Sequence, residues 1–419
     1  MNYAEEMLTS LEQGDLDNAA KHFKRVKNLG TDEEKFTLAE NLYHLGFLQE
    51  TKELLELLLA SYPGEGELIV TLAEVLVEMD DEEGALELLS EMGEGDPDYP
   101  RALLLQADLY QMQGLFEVSE QKLLQAKKIL PAEPVIDFAL GELYLEIGKF
   151  LEAIRSYENV LKAQKTNVGG VDVHQRMGEA LSAGGDFEQA LDHYEKALDE
   201  HLEINTLFGY AFTAYQAGYY TKAIEKLESV KALDPDYNSL YLLLSKAYEH
   251  EEELDKSLET VKEGITHDEF NKELLFHGGK ISLKLGMEED AEKFMRESLA
   301  LDQGYMEAAL TLNKLFLRQE RYEDVLEIIK LMESEGEEDP QLHWDAAAAY
   351  EKTEDYKEAL KQYRLAYTFF KEHPDFLQEY GYFLIEEGKR GEAREVFNEL
   401  VQKDPTNEEW AMMIERLEE

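Results

Sequence analysis

Lys246, Lys280 and Lys314 stand 34 residues apart, and Lys284, Arg318 and Lys352 keep the same interval. Recurrence at one distance puts these cations at fixed places in a repeated unit. The chemistry open to them is recognition of acidic groups rather than the making of bonds. The chain as a whole carries the opposite sign, with 41 Lys and Arg against 92 Asp and Glu and a formal net charge of -51. Lys280 with Lys284, and Lys314 with Arg318, are like charges four residues apart, which weakens a helix by roughly 0.2–0.5 kcal/mol. An acidic ligand would remove that cost. The competing reading is a solvated face whose lysines balance acidic neighbours. A second row is acidic: Glu40, Glu74, Asp108 and Glu142 follow the 34-residue interval, and Glu179 comes 37 residues later.

Other chemistry finds little support. The ten histidines include no pair three or four residues apart and no H-E-x-x-H, so neither a metal nor any other cofactor is expected. With no cysteine there is no thiolate zinc site, disulfide or cysteine nucleophile. The GGKISLKLG stretch at 278–286 lacks the order of a phosphate-binding loop. Carboxylates are too numerous for any catalytic pair to stand out, and no enzymatic activity is expected. The net charge makes nucleic acid and anionic membrane surfaces poor partners, because both are bound by neutralising phosphates with Lys and Arg. The opening MNYAEEMLTSLEQGD has no basic segment followed by an apolar run, and no stretch approaches 18 apolar residues. A cytoplasmic location is the expectation.

The interval itself describes the elements that carry these residues. A turn spelled G-x-[FY] is followed three residues on by a small residue, and this position falls at Ala19, Thr51, Ala85, Ser119, Ala153, Ala190, Ala223, Ser257, Ala291, Val325, Ala359 and Ala393. That makes twelve units. Twelve residues earlier sits another residue, usually small, such as Gly141, Gly178, Ser245 or Gly381. Gly, Ala and Ser there let two helices approach closely. In the fifth unit Leu140, Tyr144 and Ile147 recur at helical spacing, Gly148 breaks the helix, and Ile154, Tyr157 and Leu161 form a second stripe. All nine prolines fall at the junctions between units, where a helix interior is not interrupted.

This pattern resembles the tetratricopeptide repeat family, whose 34-residue helix pair reads W-x2-L-G-x2-Y, then A-x3-F, then P. Leu140, Gly141, Tyr144, Gly148, Phe150, Ala153 and Tyr157 match it, as do Met177, Gly178, Leu181, Gly185, Phe187, Ala190 and Tyr194. Units one, eight and ten depart most in spelling, with Met7, Glu252 and Asn313 at normally small or glycine positions. The resemblance implies an all-α, right-handed superhelix of about twelve helix-turn-helix repeats. It also implies a concave groove lined by the first helix of each unit at places two, five, nine, twelve and thirteen, counted with Ala153 as place twenty.

On that register the acidic row is place nine of units two to six. The basic residues are places nine and thirteen of units eight to eleven. Place five stays mostly apolar, through Phe208, Leu242, Phe276, Leu310 and Trp344. Phe212, Tyr215, Leu283 and Leu317 complete the expected apolar contacts at places nine and twelve. The family's Lys and Asn carboxylate clamp is not matched, since place five is apolar and place nine is Glu or Lys. The expected function is a scaffold or adaptor holding a protein or peptide segment, with an acidic stretch meeting the basic repeats or a second copy pairing head to tail. The alternative is a peptide-sensing regulator resembling bacterial pheromone receptors, without their N-terminal effector module.

Three segments are expected: residues 1–165 and 171–405 as two subarrays, and 406–419 as a capping helix. The linker KTNVGG at 165–170 is the most glycine-rich and reads as a joint or as a longer turn. Thr406 and Glu409 form a possible capping box ahead of Trp410, Met413, Ile414 and Leu417.

Overall fold

The computed structural model describes residues 3–418, which form 25 helices and one two-stranded hairpin. Each of the twelve units is a helix pair. The fifth is Pro134–Glu146 followed by Phe150–Lys162, and the ninth is Lys272–Lys284 followed by Glu288–Leu301. Pro100, Pro134, Pro340 and Pro374 lie in the first turn of their helices, where the missing N–H has no intrahelical acceptor to lose.

One turn geometry closes every first helix. In the fifth unit the Lys149 N–H donates to the Tyr144 carbonyl at 2.8 Å, and the same bond joins Phe47 to Leu42 and Met287 to Ser282. The residue before that donor must be left-handed. Gly148 has φ 74° and Gly286 φ 75°, a conformation glycine adopts without steric cost. Four repeats place a larger residue there: Asp80, Glu252, Glu320 and Glu354, with φ between 59° and 62°.

Close contacts inside each pair explain the small residues. In repeat eight Ser245 and Ser257 meet instead of glycine and alanine. Their hydroxyls are 2.8 Å apart and each donates to the other's carbonyl, so both polar groups are satisfied at full burial.

The chain divides into two compact units, Met1–Thr213 and Ala214–Glu419. Within the first, Gly66–Glu78 packs on Tyr99–Met112 and that helix on Pro134–Glu146; within the second, Ser239–His250 packs on Lys272–Lys284 and Met306–Arg318 on Pro340–Lys352. These are all first helices. Among the described residues no two second helices meet to that extent.

The linker at 165–170 lies within the first unit. Asn167–Val168 pairs antiparallel with Val171–Asp172 across Gly169 and Gly170, both with positive φ, as a two-residue hairpin turn requires. Asn167 Oδ1 accepts the Gly170 N–H at 3.0 Å, and Asp172 Oδ1 then caps the next helix by accepting from Gln175 N.

At the other end the cap differs from the expected Thr406 and Glu409 box. The helix is Glu408–Glu418, and Asn407 Oδ1 accepts the N–H groups of Glu409 and Trp410. Thr406 is turned away because its hydroxyl donates to Asp404 Oδ1 at 2.6 Å. Trp410 is buried as expected, and Met413, Ile414 and Leu417 pack on the same core.

Candidate functional site

The six basic residues of repeats eight to eleven separate into two groups. Lys284 donates to Glu249 at 2.7 Å, Arg318 pairs with Glu288, and Lys352 pairs with Glu351 at 2.7 Å. These are the place-thirteen residues, and each leans toward a carboxylate at the end of a first helix or at the start of a second one. Lys246, Lys280 and Lys314, all at place nine, make no ion pair within 4.0 Å among the described residues. The i,i+4 repulsion between Lys280 and Lys284 is thus relieved on one side only. Lys280 and Lys314 are exposed, and Lys246 is half-buried.

The positive row reaches buried groups beneath it. His277, at the centre of Lys272–Lys284, is 3% exposed. Burial drives its pKa down to about 4; Lys246 and Lys280 add to the effect, while Glu249, 3.8 Å from Nε2, opposes it. Glu249 also feels its burial, yet the bond from Lys284 and the nearby His277 and Lys280 hold its carboxyl below the usual range. One anion is therefore shared among several cations, and the row keeps excess positive charge.

The apolar residues of this face are shared with the core. Leu242, Phe276, Leu283, Leu310 and Leu317 are half-buried, and all but Leu242 pack against the cluster around Leu312 and Phe316. Phe276 meets Tyr305 edge-on at 5.2 Å. Trp344 is also half-buried. Its ring lies 5.2 Å from each of Phe370, His373 and Phe376, and its Nε1–H donates to Glu379 at 2.6 Å. These side chains are held partly by the core and partly face outward. Tyr215 is half-buried against Tyr220 and His250. In the first unit Phe208 is half-buried and Phe212 is 43% exposed.

The acidic row of the first unit is partly paired within the chain. Arg101 holds both oxygens of Glu74, at 2.7 and 2.9 Å. Arg176 bridges Glu142 and Glu179 at 3.1 and 2.7 Å, and the Tyr157 hydroxyl donates to Glu142 at 2.6 Å. Glu40 and Asp108 are exposed and have no ion pair among the described residues. Sequence reasoning missed Arg101 and Arg176 because each counter-ion sits at a different place of the following repeat. Their positions at places two and six were the available signal.

A second arrangement was not legible from spacing. His174 and His193, 19 residues apart, bring their Nδ1 atoms to 2.9 Å. Among the described residues no three His, Asp or Glu gather in a way that could hold a metal ion. The hollows of the surface lie elsewhere: one of about 430 Å³ opens between second helices of repeats nine and ten, over Leu299, Ile328 and Leu331. No described helix is long and apolar enough to cross a membrane.

Comparison with known proteins agrees with this architecture. Family models described as YpiA-like, tetratricopeptide repeats and as YpiA-like, C-terminal tetratricopeptide repeats match residues 111–165 and 340–407. General tetratricopeptide repeat models match residues 42–109 and 176–238. The TPR repeat-containing protein YpiA of Bacillus subtilis (strain 168) is 45% identical over 415 residues, covering 99% of this chain and 98% of that protein. DnaJ homolog subfamily C member 3 of Gallus gallus is 26% identical over 245 residues, 56% of this chain and 44% of that one. Among solved structures, YrrB, a TPR protein with an unusual peptide-binding site, aligns at 14% identity with TM-score 0.39, covering 44% of this chain and 95% of its own. Helix pairs at a 34-residue period, left-handed turns at a fixed place and a full-length relative at 45% identity have one joint consequence: the chain belongs to the YpiA-like tetratricopeptide repeat family.

Proposed function

We propose that this protein is a non-enzymatic scaffold of the cytoplasm whose repeats eight to ten hold an acidic segment of a partner protein on their first-helix face. The observation that carries this reading is the row Lys246, Lys280 and Lys314, three cations with no ion pair within 4.0 Å among the described residues, in a chain of net charge -51. An anionic partner supplies the missing charges. Half-buried Leu242, Phe276 and Leu310, one helical turn from the row, offer apolar contact, while the lysines set orientation and association rate. The overall negative charge disfavours nucleic acid and anionic lipid.

Head-to-tail pairing with a second copy is the competing occupant: Arg101 and Arg176 offset two of the five charges of the acidic row, and Glu40 and Asp108 have no ion pair among the described residues. Analytical ultracentrifugation across salt concentrations tests this choice. A monomer at low and high salt is the expected result; salt-sensitive dimers abolished by Lys280→Glu and Lys314→Glu would favour self-pairing.

A further inference from the structure

Glu249, at the end of the first helix of repeat eight, stands between two basic groups of repeat nine. Its Oε1 accepts from Lys284 at 2.7 Å, while its Oε2 lies 3.8 Å from His277 Nε2, too far for a hydrogen bond. That nitrogen is buried and has no hydrogen-bond partner among the described residues. A buried polar atom without a partner costs about 1–3 kcal/mol, and a charged bond to Glu249 needs the two groups to close by only about 1 Å. A second arrangement is therefore within reach. In it a proton from solvent makes both ring nitrogens of His277 donors, Nε2 donates to Glu249, and Lys284 is released.

We infer that Glu249 passes from Lys284 to His277 when an acidic segment binds, so that the segment gains Lys284 as a fourth cation and His277 takes up a proton. This regulation rests on the acidic partner proposed above. Lys284 is about half exposed and one helical turn beyond Lys280, so its freed ammonium lies beside the lysine row. Burial keeps His277 neutral in the free chain, and the charged groups that act most on it are Glu249 and Lys246 from Ser239–His250 and Lys280 from its own helix. The other two helices packed on Lys272–Lys284, Leu254–His267 and Glu288–Leu301, bury only uncharged residues. Carboxylates resting on Lys246 and Lys280 offset the two cations that oppose the proton. Partner and proton then favour each other, and the grip tightens as pH falls.

The test is fluorescence anisotropy of the full chain with a labelled glutamate-rich peptide at about pH 7.5 and 5.5, where glutamate side chains with a pKa of about 4.3 remain ionised. Wild-type affinity should rise up to about fivefold at the lower pH, the worth of one further exposed ion pair. His277→Gln should bind equally at both. Glu249→Gln, which frees Lys284 without a proton, should bind at the higher pH as tightly as the wild type does at the lower. A wild-type affinity indifferent to pH, a His277→Gln protein that keeps the wild-type response, or a Glu249→Gln protein no tighter than wild type at the higher pH overturns the exchange. The acidic-partner reading survives any of these if replacing Lys246, Lys280 and Lys314 together by Gln still weakens binding. Failure of the wild type to bind the peptide, or binding that the triple variant retains, overturns both.

Discussion

Gly141 lies directly over the ring of Tyr157: a Cβ added there would sit 2.4 Å from Tyr157 Cε1 and 2.8 Å from Cζ. The ring cannot retreat, because Tyr157 is fully buried and its hydroxyl is bound to Glu142. Gly141→Ala should therefore cost about 1–3 kcal/mol, as overpacking does. Hydrogen exchange should show the lost protection concentrated in repeat five and its neighbours, since each repeat packs mainly on adjacent ones. Loss spread evenly over the chain would contradict this.

Glu252 occupies a left-handed turn that glycine fills in eight other repeats. An L-residue there costs about 1–2 kcal/mol, partly offset by the extra freedom glycine brings to the unfolded chain. Glu252→Gly should raise stability by up to about 1 kcal/mol, read as a higher midpoint in urea. The same change at Glu320 or Glu354 should act in the same direction.

Much of this was legible in the sequence. The period located all twelve pairs, because each helix must bury the same stripe against its neighbours, and the spacing of the cations exposed their common place. Charge partners were not legible. Whether Glu74 is free depends on Arg101 reaching across from the next repeat, and Lys284 differs from Lys280 only because Glu249 is within its reach. Non-glycine residues in the turn hid the left-handed position at Asp80, Glu320 and Glu354, while the period alone marked Glu252 as standing in a glycine's place. The Asn407 cap could not be told from Thr406, since both precede the same helix and only the competing bond to Asp404 decides between them.

Buried groups give opposite pH dependences. Burial, reinforced by Lys196 and His174, lowers His193 to about 4, and burial likewise brings His277 to about 4. Both are protonated more readily when unfolded, so their contribution is present above about 6.5 and is lost as pH falls toward 4. Asp345 behaves in the opposite sense: burial raises its carboxyl to about 6, against the bond from Gln341, and its contribution improves as pH falls from 6 to about 3.8. Asp345→Asn should raise the melting temperature at pH 7 and have little effect near pH 4. His193→Gln should flatten the loss between pH 6.5 and 4. Thermal melts across this range check both signs.

The hairpin at 165–170 is proposed as the joint between subarrays 1–165 and 171–405. Limited proteolysis should then cut first at Gly169 or Gly170 and release two folded fragments. A first cut near Thr213, where the compact units divide, would contradict that assignment.

Stopped-flow association of the full chain with a labelled glutamate-rich peptide, at ionic strengths from low to well above physiological, is the most direct test of acidic-partner recognition. Exposed charges steer encounter and are screened over about 8 Å at physiological salt. The wild-type rate should fall steeply with salt. Lys246→Glu, Lys280→Glu and Lys314→Glu combined should slow association and remove most of that dependence, whereas Lys352→Glu, at a residue already paired with Glu351, should change it little. Equal rates and equal salt slopes for wild type and the triple variant would show that the three lysines are only a solvated face.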